Sequence, residues 1–483
     1  MLFNHPHLTR IGLIATLVAL QNSCSTVSSN ARSTTERKEQ ASDTITSSAQ
    51  IAATAFRATA LAAIRQPVTT VKLGIASLWH RPREVVVTSI PVSLESPQAL
   101  PVAPGGWQFE QMLDQADFPR AESGSLKWLV DGPEFFPEVD RQIEAAQHSI
   151  DVQVFIFDND DIGVRYADVL KRKSGEVPVR VLFDDLGTTF AYQSAPETRG
   201  PRGFSPPADM ARHLREASGV RVRRTLNPWL VGDHTKLLVF DQRSAILGGM
   251  NIGREYYSEW HDLMVRVEGP VVRTLAADFK QAWRKAGPLG DFALLHGPPV
   301  FRPSVPVSGA IPLRVLRTDA AAGRLEILNS TLLAIRGARK RIWIQTPYFG
   351  YADVTQASAA AARRGVDVRL IIPAAGDSTI MDAGNRASAR ILIQAGAKVY
   401  QYPKMTHMKV MICDDWASVG SANFDTLSFR INRELNLAFS DAAEIKRLEK
   451  KVFLPDFRKS RRIRLAETES LAPGLTGVLV GQL

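Results

Sequence analysis

The 483-residue sequence predicts an α/β protein built as two similar lobes in one chain. Three observations carry that reading. From about residue 107, helical and extended segments alternate. Four of these elements then recur in the same order, a duplication of about 150 residues per copy, far longer than a solenoid repeat. Each copy ends on a segment that runs His, Lys, Asp, Gly or Ser, Asn: "DHTKLLVFDQRSAILGGMN" from Asp233 to Asn251 and "THMKVMICDDWASVGSAN" from Thr406 to Asn423.

In the first copy, "FFPEVDRQIEAAQHS" reads as a helix with Ile143 and Ala146 inward. "IDVQVFIF" and "VPVRVLFDD" alternate as strands do. In the second copy, "LEILNSTLLAIRGARK", "RIWIQTPYF" and "AAAARRGVDVRLIIPA" repeat those elements. "GVRVRRTLNPWLVGDHTK" and "GAKVYQYPKMTHMK" lead into the two motifs. The segment "TTFAYQSAPETRGPRGFSPPAD" has no counterpart and reads as a surface loop.

The region before residue 107 lies outside the duplication. Arg10 precedes an apolar run, Ile11 to Leu20, too short to span a bilayer but suited to an export signal. Cys24 then resembles the lipid-modified cysteine of a bacterial lipoprotein, although Gln21 stands where that signal usually has leucine. Ser25 to Gln50 is rich in Ser, Thr and charge and reads as a tether. In "IAATAFRATALAAIRQPVTTVKLGIASLW", Phe56, Ala60, Leu61 and Ile64 share a helical face, which either lies on a membrane surface or packs on the main body. A proline-rich linker ends at Gly106. The expected organisation is a signal over 1–24, a linker with an amphipathic helix over 25–106, lobes over 107–300 and 301–470, and a tail over 471–483. The expected location is the bacterial cell envelope, at a membrane after export.

The composition, 45% hydrophobic and 22% charged, is that of a globular protein. The net charge of +10 and pI of about 9.6 favour an anionic partner, either nucleic acid or an acidic lipid surface. Two cysteines allow at most one disulfide and no cysteine metal cluster, and Cys413 in its apolar run reads as a core residue.

Within the motif, Leu237 to Phe240 is a continuous apolar run, a strand buried on both faces. His234 and Lys236 before it share one side, where they can act together. Asp241 lies seven residues from the histidine, an odd offset that assigns it to the other side or to the turn, as a structural or ion-pairing residue. Gly248 and Gly249 remove side chains where backbone approaches a ligand, and Asn251 offers an amide. His407, Lys409, Asp414, Gly420, Ser421 and Asn423 repeat the plan, with the turn after Asp414 one residue shorter. A single histidine beside a strand is usually an ordinary residue; the same constellation twice, in duplicated lobes, points to chemistry.

The pattern resembles the signature of the phospholipase D superfamily: His-x-Lys, four residues, Asp, then Gly-Gly/Ser-x-Asn. "DLMVRVEGPVV" and "QTPYF" are similar to the bacterial cardiolipin synthase branch. The resemblance covers roughly residues 107 to 465. It implies two phospholipase D-type α/β sandwich lobes related by a pseudo-twofold axis, with the active site between them. It implies a catalytic set of His234, Lys236, Asp241, His407, Lys409 and Asp414. It further implies substrate contacts from Gly249, Asn251, Ser421 and Asn423, and supporting carboxylates at Asp262 in "EWHDLMV" and Glu434 in "INRELNL". His261, beside Asp262, reads as incidental.

Phosphodiester oxygens repel nucleophiles, so a site must neutralise charge, supply a nucleophile and protonate the leaving alkoxide. Lysines and asparagines meet the first need. One neutral histidine attacks phosphorus while the other handles protons. The resemblance gives His234 the first role and His407 the second. No metal or other cofactor is then required. The function expected is a phosphatidyltransferase of the cardiolipin synthase type, using a phospholipid such as phosphatidylglycerol at a membrane surface. The basic cluster "RKSRRIR", Arg458 to Arg464, suits such a surface. The two N-terminal membrane spans common in that branch are missing from the sequence. The alternatives are a phospholipase D with water as acceptor, and a nuclease. No aromatic-basic ladder for stacking bases is evident, which with the export signal argues against nucleic acid. The sequence leaves the oligomeric state open.

Overall fold

The structure is a computed structural model and describes residues 53–87, 99–192, 198, 200–296 and 300–468. The export segment, Cys24 and the C-terminal tail lie outside the described residues. Nine helices are labelled here: α1 (53–65), α2 (Pro67–Val87), α3 (Gly106–Gln115), α4 (Asp131–Ala145), α5 (Asp161–Lys173), α6 (Val271–Lys285), α7 (Glu326–Gly337), α8 (Ala352–Arg363) and α9 (Thr379–Gln394).

The first lobe contributes β1 (Glu122–Val130), β2 (Ile150–Val154), β3 (Val179–Asp184), β4 (Arg221–Thr225), β5 (Leu237–Phe240), β6 (Ser244–Gly248) and β7 (Leu263–Glu268). The second contributes β8 (Ile311–Asp319), β9 (Arg324–Leu325), β10 (Arg341–Gln345), β11 (Asp367–Pro373), β12 (Lys398–Tyr402), β13 (Val410–Cys413), β14 (Trp416–Gly420), β15 (Glu434–Phe439) and β16 (Arg461–Arg462). They form one sheet in the order β16-β12-β11-β10-β13-β14-β15-β8-β1-β7-β6-β5-β2-β3-β4, with β9 on β8. Read outward from the β8–β1 seam, the two halves have the same order and the same mix of antiparallel and parallel pairs. The seam joins Glu122 to Leu313, Ser123 to Pro312 and Gly124 to Ile311.

The parallel trios β2-β3-β4 and β10-β11-β12 need crossover helices, and α5 and α8 supply the first crossover of each. Asp160 caps α5 by accepting from the Gly163 N–H, and Lys171, Arg172 and Lys173 occupy its last turn, where positive charge complements the helix dipole. Helix α4 starts at Asp131, four residues before the predicted "FFPEV" segment, because Pro133 is tolerated in a first turn. Thr188 to Ala191, expected in a surface loop, is helical: Asp184 accepts from the Leu186 and Gly187 N–H groups and starts a helix over Asp185–Ala191. The basic cluster near residue 460 is part helix end and part edge strand, with β16 pairing to β12.

One apolar cluster belongs to each lobe, around Phe136 and Val181 in the first and Ile344 and Leu370 in the second. A third is common to both and joins Trp128, Leu237 and Val265 to Val315, Val410 and Leu437 under α6. The lobes therefore share core as well as sheet. Residues 53–87, expected within a flexible linker, form α1 and α2, and these pack on the body. Among the described residues no helix is long and apolar enough to cross a membrane.

Candidate active site

His234 and His407 each sit three residues before the first residue of a short, fully buried strand, β5 and β13. Each is held by the other lobe. The His234 N–H donates to the Arg433 carbonyl at 2.9 Å, and the His407 N–H to the His261 carbonyl at 2.7 Å. The residue after each of those carbonyls is a buried carboxylate. Nδ1 of His234 lies 3.0 Å from both oxygens of Glu434, and Nδ1 of His407 lies 2.7 Å from Oδ2 of Asp262. A carboxylate at Nδ1 keeps the N–H there and leaves the Nε2 lone pair for chemistry.

Lys236 and Lys409 are buried beside them. Their Nζ groups donate to the carbonyls of His234 at 2.8 Å and His407 at 2.5 Å. Among the described residues neither ammonium forms an ion pair. Burial pulls the Lys236 ammonium well below its ordinary range and Lys409 down to about 8. Burial and the two lysines also push both imidazoles well below 6.5, so they are neutral near pH 7. Burial lifts Asp262 and Glu434 to about 7. Two buried lysines without a direct ion-pair partner among the described residues are a state that a bound anion relieves. Phe155 stands edge-on to the His234 ring at 4.9 Å, while Trp260 at 5.0 Å and Tyr256 at 5.6 Å flank His407.

A family model described as the cardiolipin synthase phospholipase D-like domain matches residues 139–283 and 332–453, more than half of the chain. The chain belongs to the cardiolipin synthase family of phospholipase D-like proteins. It is 31% identical over 363 residues to cardiolipin synthase A of Pseudomonas entomophila, covering 71% of each chain. It is also 31% identical over 356 residues to the probable cardiolipin synthase YwiE of Bacillus subtilis, covering 70% of this chain and 67% of the relative. Among solved structures, the phosphatidylserine synthase of Haemophilus influenzae superposes with a TM-score of 0.61 over 77% of this chain and 96% of its own, at 16% identity. At that identity the likeness is one of fold.

Several residues of the family pattern stand elsewhere than expected. Asp241 and Asp414, expected in the catalytic set, do not join it. Asp241 accepts from the N–H groups of Gln147, His148 and Ser149, and Asp414 from those of Arg339, Arg341 and Lys340. Each clamps the turn that enters β2 or β10, as the odd offset from the histidine suggested. Gly249 and Ser421, expected to touch substrate, stand against the supporting carboxylates instead. A Cβ at Gly249 would overlap the Asp262 carboxylate. Ser421 Oγ donates to Glu434 at 2.5 Å and accepts from the Leu435 N–H at 3.0 Å.

Asn251 is engaged at both ends: its amide donates to the Tyr256 hydroxyl at 2.8 Å and its oxygen accepts from the Ile156 N–H at 3.0 Å. Asn423 is buried, and its Oδ1 has no hydrogen-bond partner among the described residues.

His261 is not incidental. It bridges Asp131 and Asp456 at 2.8 Å each and stacks on Tyr402 at 4.4 Å. Burial alone would discharge it, but the two carboxylates outweigh burial and raise it to about 9. It is a charged clamp beneath His407. The aromatic walls also escaped the sequence reading; for Tyr256 and Trp260 the cluster "EYYSEW", directly before His261 and Asp262, was the available signal.

Proposed function

We propose that this protein is a phosphatidyltransferase of the cardiolipin synthase type. The observation that carries the reading is the exchange of carboxylates between lobes, which orients two histidines at one centre holding two buried lysines. His234 Nε2 attacks phosphorus, the bond from phosphorus to the first alcohol breaks, and His407 gives that alcohol its proton. An incoming hydroxyl then loses its proton to His407, attacks phosphorus and displaces the His234 nitrogen. Burial and the two lysines keep His407 neutral. An anionic phosphodiester offsets the lysines, and Asp262 then favours the proton that His407 must carry as the acid.

The relatives named as cardiolipin synthases support phosphatidylglycerol as donor and acceptor. The aromatic rings that flank the two histidines support transfer over hydrolysis. The N-terminal apolar run, Cys24 and the net charge of +10 support export and attachment at a membrane of the bacterial envelope. Fractionation that finds the whole chain in the cytoplasm, with Met1 retained, would remove that part of the proposal.

The deciding experiment supplies the purified protein with phosphatidylglycerol and, separately, with single-stranded DNA. Cardiolipin and glycerol are expected from the wild type and neither from His234→Ala. Phosphatidic acid as sole product would favour hydrolysis, and nucleotides from DNA would overturn the lipid assignment.

A further inference from the structure

Helices α1 and α2 present their residues the wrong way round for helices packed on their own protein. Backbone bonds run on through Gln66, which donates to Ala62 and accepts from Thr70, so the two share a register. The face toward the body is mostly small or polar: Ala58, Ala62, Gln66, Thr69, Thr70 and Ser77, with Leu73 among them. The large apolar residues point out. Ile64, Val68, Val71, Ile75 and Leu78 are 76%, 55%, 61%, 62% and 79% exposed. Their steps of four, three, four and three place them on one stripe. A continuous apolar stripe of this kind on a soluble surface marks an interaction site.

We infer that this stripe is a docking surface for an anionic lipid bilayer. Charge favours that occupant. Arg65 and Lys72 are exposed beside the stripe, and no Asp or Glu occurs between Asp43 and Glu84. A second protein would be met by a groove or a mixed-charge rim. An apolar ridge with basic flanks and no acid before Glu84 is instead the pattern of a helix lying in a membrane interface. Neighbouring apolar groups widen the surface. Trp229, 46% exposed, donates its indole N–H to the Thr70 carbonyl at 2.8 Å. Phe292, 56% exposed, follows Asp291, which accepts from Thr69.

The helix also shares its mount with the active site. Leu73 packs on Val231 and Ile431, which stand three residues before His234 and Glu434. Trp229 and Leu230 hold left-handed backbone, φ 60° and 59°, a conformation that their surroundings must fix. Gly74 makes room for the Trp229 indole. The face that meets lipid is therefore the outer side of a helix whose inner side braces both halves of one histidine–carboxylate pair.

The inference rests on the lipid reading above, and its test separates the two. The full chain is prepared with Cys24→Ser in every sample, so that no acyl anchor contributes. Binding is read by co-sedimentation with vesicles of phosphatidylglycerol mixed with phosphatidylcholine, and of phosphatidylcholine alone. A Val71→Glu/Ile75→Glu variant should lose roughly tenfold or more in affinity for the mixed vesicles. Its melting curve and its turnover of a soluble nitrophenyl phosphodiester should match the parent. Arg65→Gln/Lys72→Gln should weaken binding to the mixed vesicles and leave the neutral ones unaffected. Unchanged sedimentation of the apolar-to-glutamate variant would overturn the inference. So would a parent dimer that this variant turns into a monomer in light scattering, which would assign the stripe to a second copy. Vesicle binding is read without turnover, so loss of the catalytic reading alone leaves this result standing.

Discussion

Nδ1 of His407 lies 2.7 Å from Oδ2 of Asp262, and the two residues belong to different lobes. The same exchange pairs His234 with Glu434. An amide in place of either carboxylate keeps the shape but loses the charge that steadies a protonated ring. Asp262→Asn and Glu434→Gln should each lower kcat by about 10²–10⁴-fold with little change in melting temperature. They should differ in kind. An activated leaving group needs no acid, so a nitrophenyl ester should rescue the first step of Asp262→Asn and leave Glu434→Gln slow. Equal rescue of both would separate the carboxylates from these roles.

A covalent phosphohistidine is the sharpest mark of the two-step path. His407→Ala keeps the nucleophile and loses the proton shuttle. With a nitrophenyl phosphodiester it should form the phosphoenzyme at His234 and stall there. Peptide mapping locates the label. Label on His407 in His234→Ala would reverse the roles. Absence of label from every variant, under conditions where wild type turns over, would favour direct attack by the acceptor.

Asp241 and Asp414 should matter for folding rather than chemistry. Removing Asp414, itself buried, leaves three backbone N–H groups without their acceptor. Asp414→Ala should cost about 1–3 kcal/mol in denaturant unfolding. Asp241→Ala should cost less, because Asp241 is itself less buried than Asp414. In both, kcat of the folded fraction should stay within about threefold of wild type. A hundredfold loss at unchanged stability would return them to the catalytic set.

His261 ties stability to pH. Its folded pKa, about 9, lies above the ordinary 6.5, because Asp131 and Asp456 favour the charged ring. The stabilisation is complete below about pH 6.5 and disappears as pH rises through about 9, an effect on the order of 3 kcal/mol. The gap in unfolding free energy between wild type and His261→Gln should therefore narrow steadily from pH 6.5 to 9.5. A gap independent of pH would mean that the ring is neutral in the fold.

The repeated His-x-Lys segments were legible because a duplicated polar pair beside an apolar strand has few structural explanations. The supporting carboxylates were legible as residues, at the starts of apolar strands. Which carboxylate serves which histidine was not, since that pairing crosses lobes and depends on tertiary docking. Asp241 shows two lines of reading in conflict: alternation along the strand assigned it to a turn, while membership of the motif assigned it to the chemistry. The structure sides with alternation. Gly249 looked like room for a ligand, and the room is taken by Asp262. In α1 the periodicity of Phe56, Ala60, Leu61 and Ile64 was visible, but periodicity fixes a stripe and leaves open whether it faces core or solvent.

The β8–β1 seam has a consequence for what counts as one protein here. The lobes meet edge to edge through three residue pairs and a common apolar cluster, and the connection between them crosses an exposed stretch at residues 303–306. Cutting the chain there would give two fragments, each with one histidine and the carboxylate that serves the other's. Neither half alone has a complete acid–base pair, so each should be inert, and mixing them should restore turnover with second-order dependence on concentration. The covalent link then acts as a device for effective concentration. In architecture, the chain is arranged as a dimer of two like lobes joined by one connection.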